Sequence, residues 1–223
     1  MERPFDEELK ILKEKILEMA ARAEESIALA VKCLKERDER YAAEVMRGED
    51  VINHLEIEID ELCMRLLALR QPLATDLRFI TSAMRIISDL ERIGDQAVNI
   101  IERTLELLKS PQLKPLIDIP RMAELAQGML RDAINAFVSG DDRLGVEVCR
   151  RDDQVDQLND QVFRELLTYM IEDPSTITRA VDLILVGRHL ERIADHATNI
   201  GEDVIYMTKG KVIKHHCEEE KRA

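Results

Sequence analysis

Aromatic side chains make up only 3% of the 223 residues, tryptophan is absent, and glycine and proline occur just 8 and 6 times. Sheets draw on aromatic residues and on glycine- and proline-rich turns, so an all-β or α/β fold is nearly excluded and long helices are favoured. Basic charge is also short, with 32 Lys and Arg against 45 Asp and Glu and a formal net charge of −13. A broad cationic footprint is therefore missing, and no nucleic-acid partner is expected. The longest stretch without Asp, Glu, Lys or Arg runs only from Ala133 to Gly140, far below the roughly 18 apolar residues of a spanning helix. No transmembrane segment is expected. Residues Met1 to Asp6 show neither a basic n-region nor an apolar run, so no secretory signal is read and a cytoplasmic location is expected. The four cysteines, Cys33, Cys63, Cys149 and Cys217, form no Cys-x-x-Cys pair, which disfavours a disulfide framework or zinc ribbon. The first three read as buried or half-buried thiols.

What is present is apolar residues at three- and four-residue spacing, in six segments that predict helices over residues 6–37, 40–70, 74–109, 120–139, 142–172 and 175–208. Pro72 and Pro174 forbid uninterrupted helix, while Gly140 and Gly210 stand where C-terminal caps fall. Pro111, Pro115 and Pro120 mark a linker. The expected organisation is all-α: a three-helix bundle over residues 1–110, a linker over 111–119, a similar bundle over 120–210, and a charged tail over 211–223. The tail carries His215, His216 and Cys217, which could bind a soft metal but read as part of a frayed terminus.

The halves share one patch at an offset of 100 residues. Leu90 to Glu102 reads LERIGDQAVNIIE and Leu190 to Glu202 reads LERIADHATNIGE, identical at nine of thirteen positions. Residues 76–86 and 176–186 share none of eleven, so a local reason holds the patch. Core packing explains the repeated Leu, Ile and Ala; it does not explain the repeated Glu, Arg, Asp and Asn.

At about 100° per residue, Glu91, Asp95, Asn99 and Glu102 share an arc of about 80°, opposite Leu90, Ile93, Ala97 and Ile100. Glu191, Asp195, Asn199 and Glu202 repeat this line. The second segment carries Glu49, Asn53, Glu56 and Asp60, and the fifth Asp152, Asp156 and Asn159. A solvated face usually alternates sign, because like charges at i and i+4 destabilise a helix by a few tenths of a kcal/mol. The lines also match in height. Glu49 lies as far before Pro72 as Asp95 lies after it, which sets Asn53 level with Glu91. Around the Asp173-Pro174 turn, Asp152 falls beside Asp195 and Asp156 beside Glu191. Each half thus offers an oxygen-rich quartet: Glu49, Asn53, Glu91 and Asp95 in the first, and Asp152, Asp156, Glu191 and Asp195 in the second. Such carboxylates repel unless protonated or neutralised, and a multivalent cation is the usual neutraliser. An acidic surface without metal is the competing reading. Oxygen ligands without thiolate favour iron, manganese, magnesium or calcium, with zinc possible. His196 has Gln96 as its counterpart and reads as a surface residue, and the nine methionines as core filler.

The doubled E-R-I-[GA]-D-x-x-x-N-I of residues 91–100 and 191–200, the Arg70-Gln71-Pro72-Leu73-Ala74-Thr75-Asp76-Leu77-Arg78 turn, and Tyr169-Met170-Ile171-Glu172-Asp173-Pro174 resemble the PhoU family. The resemblance spans essentially the whole chain. It implies a cytoplasmic protein, often a homodimer, of two similar three-helix bundles, with E(D)-x-x-x-D motifs that hold multinuclear metal clusters. It also implies negative regulation of the phosphate-starvation response, through the ATPase subunit of the high-affinity phosphate ABC transporter and a phosphate-sensing histidine kinase. The motif falls on Glu91 and Asp95, Glu191 and Asp195, and Asp152 and Asp156. The second helix departs from it, since Asn53 stands four residues after Glu49 where the motif has an acid. Glu56 with Asp60 is an alternative pair there, and the C-terminal site is expected to hold metal more tightly.

Enzymatic readings have little support. Di-iron carboxylate proteins place Glu-x-x-His motifs in a bundle core, and none of the five histidines here follows a Glu by three residues. No Gly-rich phosphate loop of the P-loop kind occurs. A metal-independent helical scaffold with acidic docking faces stands as the alternative to a metal-binding regulator.

Overall fold

The computed structural model describes residues 4–211. The expected tail, with His215, His216 and Cys217, lies outside the described residues apart from Lys211. Six long helices follow one another: α1 (Pro4–Glu36), α2 (Arg40–Arg70), α3 (Ala74–Leu108), α4 (Asp118–Ser139), α5 (Asp142–Glu172) and α6 (Ile177–Lys209), with a 3₁₀ turn at Pro174–Thr176 before α6. Among the described residues there is no strand.

Each break has a local cause. Arg37 takes a left-handed φ of 55°, after which the Asp38 carboxylate accepts from the Arg40 backbone N–H at 3.0 Å and opens α2. The Arg37 guanidinium meanwhile donates to the carbonyls of Leu107, Leu108 and Ser110, tying the α1–α2 turn to the end of α3. Gly140, at φ 70°, closes α4, and the Asp141 carboxylate caps α5 by accepting from the N–H groups of Arg143 and Leu144. Pro120 does not bound the linker as its ring suggested. α4 begins two residues earlier, at Asp118, because proline is tolerated in a first helical turn whose N–H groups have no partner within the helix.

α1–α3 and α4–α6 form the two three-helix halves, joined by one continuous apolar core. α3 and α6 run antiparallel along the seam between them, as cross-links at three heights show. The Arg78 guanidinium donates to the Met207 carbonyl at 3.0 Å, Asp89 meets His196 at 2.8 Å, and Gln96 meets His189 at 2.8 Å. Asp89 and His189, like Gln96 and His196, occupy corresponding repeat positions, so the two middle links are images of one another across a pseudo-twofold axis. His196 is therefore not the surface residue its polar counterpart suggested: its side chain is only 17% exposed and is held in the seam by Asp89.

Cys33, Cys63 and Cys149 are buried, and burial pushes Cys33 and Cys63 up to about 11 and about 12. The methionines divide: Met19, Met122 and Met129 fill the core, whereas Met46 and Met64 are exposed on α2.

Candidate metal centre

The acidic lines lie on the outer grooves of the two helical hairpins, α2–α3 and α5–α6. The second groove is positioned by a close backbone crossing: a Cβ on Gly145 would stand 2.9 Å from the Gly201 carbonyl, and one on Gly201 2.9 Å from that of Gly145. Further along, Cys149 Sγ reaches the Thr198 carbonyl at 3.9 Å. This register carries Asp152 to Asp195 and Asp156 to Glu191, as the count from the Asp173-Pro174 turn predicts.

The electrostatics of this groove are those of crowded, partly dehydrated carboxylates. Burial, then the charges of Asp195, Asp156 and Asp153, push the Asp152 carboxyl from 3.8 up to about 7. The nearby Thr198 hydroxyl pulls the other way but falls short of a hydrogen bond, and Asp152 Oδ1 and Thr198 Oγ1 are both buried without a hydrogen-bond partner. Asp156 is raised by burial and by Asp195, Asp153 and Asp160. Glu191 is raised by burial and by Asp156, Asp195 and Asp160, with Arg188 opposing. Asp195 is raised by burial, against His196, Arg188 and Arg192. The Asn159 amide donates to Glu191 Oε2 at 2.8 Å and Arg188 lies 3.5 Å from it, so Glu191 is oriented from both helices.

The first groove is arranged differently. A Cβ on Gly94 would meet Ile52 Cδ1 at 3.0 Å, whereas a count centred on Pro72 places Ile52 opposite Arg92. The turn is the three residues Gln71 to Leu73, and Gln71 ends α2 in a left-handed conformation with φ 48°. Glu56 stands near enough to Glu91 for its charge to act there. Burial raises Glu91, followed by the charges of Asp95, Glu56 and Glu49, with Glu56 acting more strongly than Glu49. Glu56 is itself raised by burial, Asp60 and Asp95, with Arg92 opposing. Asn53 turns its amide to Glu49 on its own helix, as a donor to Oε1.

Sequence reasoning did not include Asn159, Asp153, Asp160 and Thr198 among the second-site residues. Asn159 was visible as part of the α5 line, but the other three lie beside it and only the packing shows them acting on it. Among the described residues, no three His, Cys, Asp or Glu side chains are already grouped to hold an ion. The carboxylates sense one another across an open groove. A hard cation still fits the donors present: all are oxygens, and Asp152 Oδ1 is a buried acceptor whose hydrogen bonding is unmet. A cavity of about 510 Å³ is lined by Leu9, Lys13, Phe79 and Met207 among others, and by none of the groove acids.

Comparison with known proteins gives a concordant result. The PhoU domain family model matches residues 16–104 and again residues 119–204, segments that contain all eight expected ligands. A phosphate-specific transport system accessory protein PhoU homolog of Aquifex aeolicus is 44% identical over 214 residues, covering 96% of this chain and 97% of its own length. One from Pseudomonas putida is 39% identical, covering 95% and 83%. The crystal structure of PhoU from Pseudomonas aeruginosa matches with a TM-score of 0.89 at 38% identity, over 93% of this chain and 100% of that one. That of the phosphate transport system regulatory protein PhoU from Streptococcus pneumoniae gives 0.87 at 31%, over 93% and 98%.

Proposed function

The chain belongs to the PhoU family, and on that premise we propose that it is a metal-binding cytoplasmic regulator of phosphate uptake and phosphate-starvation signalling, not an enzyme. In this reading it acts as a negative regulator that couples the ATPase subunit of the high-affinity phosphate ABC transporter to a phosphate-sensing histidine kinase, working as a homodimer. The relatives named above are accessory and regulatory proteins of phosphate transport. No helix among the described residues is long and apolar enough to cross a membrane.

The observation that carries the metal assignment is the doubled carboxylate groove, with the stranded Asp152 oxygen at its most buried point. Asp152, Asp156, Glu191 and Asp195 would hold the second centre, and Glu49, Glu56, Glu91 and Asp95 the first, with Asn53 able to add its carbonyl oxygen by a rotamer change. A bound cation supplies positive charge that lets these acids stay ionised together. Iron, manganese or magnesium suits the oxygen donors. Its role is structural or in partner recognition.

The test combines elemental analysis with partner capture. Untagged protein is assayed for metal before and after chelation, and the wild type and Glu191→Ala with Asp195→Ala are then used to pull down the ATPase subunit and the kinase. Retained metal in the wild type, with loss of metal and weakened capture in the variant, is the expected result. A metal-independent scaffold, which the open grooves would also suit, gives no retained metal and equal capture.

A further inference from the structure

The groove that holds the second acidic cluster changes character toward the α5–α6 turn. Phe163, Leu167 and Ile171 on α5 are 49%, 42% and 74% exposed, and Ile177 and Val181 on α6 are 45% and 41% exposed. On α5 these residues share an arc of about 100° with Asp152 and Asp156, and on α6 an arc of about 80° with Glu191 and Asp195. At 1.5 Å per residue, Phe163 begins about 10 Å beyond Asp156. One outer face thus runs from crowded carboxylates into a continuous apolar strip, with no helix of the described chain laid over it.

We propose that this face of the α5–α6 hairpin is a docking surface for an amphipathic helix of a partner protein, whose apolar residues lie on Phe163, Leu167, Ile171, Ile177 and Val181 and whose lysine- or arginine-bearing end lies on the acids. Two features select this occupant. Two rows of exposed apolar side chains, one on α5 and one on α6, match the apolar stripe of a helix, whose anchors recur every three to four residues. The adjoining charge is net negative: Asp152, Asp156, Glu191 and Asp195 act on one another together with Asp153 and Asp160, against Arg188, Arg192 and His196. A basic end meets the negative charge that a bound cation leaves on these six carboxylates, and an acidic one is repelled by it. The inference rests on the regulatory reading only in requiring a protein partner.

The probe is a set of fluorescent 18-residue helical peptides with leucine at i, i+4, i+7 and i+11, carrying three lysines or three glutamates at one end or the other. Anisotropy titration is run against the full-length chain, Leu167→Ser with Ile171→Ser, and Ile117→Ser, an exposed apolar position elsewhere. Circular dichroism checks that each variant is folded. At least one lysine peptide is expected to bind the wild type and Ile117→Ser alike, to bind the double variant at least tenfold more weakly, and to lose affinity at high salt; the glutamate peptides bind at least tenfold more weakly. Equal binding to wild type and double variant overturns the proposal, as does no binding of either lysine peptide. A wild-type dimer that the double variant converts to monomer in light scattering also overturns it, by assigning the strip to a second copy. Pull-down of the transporter ATPase and the kinase separates the two levels. Equal capture by wild type and double variant rejects the surface and leaves the regulatory reading standing, whereas no capture by the wild type rejects that reading while peptide binding still supports the surface.

Discussion

Replacing Asp152 by asparagine removes one charge from the most buried point of the second groove, and its effect on stability has a definite sign. The folded chain holds this carboxyl at about 7, against 3.8 for the ordinary group, so between those values the folded state binds the proton that the unfolded state has released. The contribution to stability is complete below about pH 3.8 and is lost as pH rises to about 7. A difference of about 3 units is worth about 4 kcal/mol at 1.36 kcal/mol per unit, an upper bound because chain relaxation and water entry reduce it. Asparagine keeps the shape of the neutral acid and cannot ionise. In chelator at pH 8, Asp152→Asn is therefore expected to be more stable than the wild type by as much as about 4 kcal/mol, or roughly 8 to 16 °C in Tm for a chain of this size. Near pH 4 the two should coincide. Urea and thermal denaturation at several pH values read this directly. Manganese at pH 8 should then raise the wild type more than the variant, since a cation needs the charge that asparagine lacks. Equal stability at pH 8 in chelator, or a difference that does not change with pH, refutes the reasoning.

Other outcomes follow from single contacts. Gly201→Ala forces a methyl against the Gly145 carbonyl, 2.9 Å from the Cβ position, and should cost about 1–3 kcal/mol in urea unfolding. Gly128→Ala, whose Cβ meets only Arg151 Nη1 at 3.9 Å, should be neutral or stabilising by up to about 1 kcal/mol. Asp141→Ala removes the acceptor for the Arg143 and Leu144 N–H groups and should lower stability by about 1 kcal/mol. In equilibrium dialysis, Glu191→Ala with Asp195→Ala should release more bound metal than Glu91→Ala with Asp95→Ala; equal losses would remove the ranking of the two sites.

The legible part of the fold was the part written along the chain. The Leu90, Ile93, Ala97 and Ile100 periodicity placed a helix and its buried face without any knowledge of what it packs on, and all four are fully buried. Gly140 and Gly210 marked helix ends because a left-handed residue is a local requirement. The groove pairing of Asp152 with Asp195 was also readable, since two unbroken helices joined by a short turn keep their heights. In the first hairpin the count does not show which α2 side chain acts on Glu91; there the charge of Glu56 is felt more than that of Glu49.

By itself the amino-acid sequence determined six helices, their breaks, the repeat, and which faces carry acids, because each depends on the order of residues within a few turns. Tertiary structure decided how deeply those acids are buried and what surrounds them. Asp152 and Asp195 are 43 residues apart in the chain, and Asp89 and His196 107; no periodicity relates them. Desolvation and Coulomb repulsion depend on distance in space and on the water that packing excludes, so the raised Asp152 carboxyl and the His196–Asp89 link arise only when the helices are assembled.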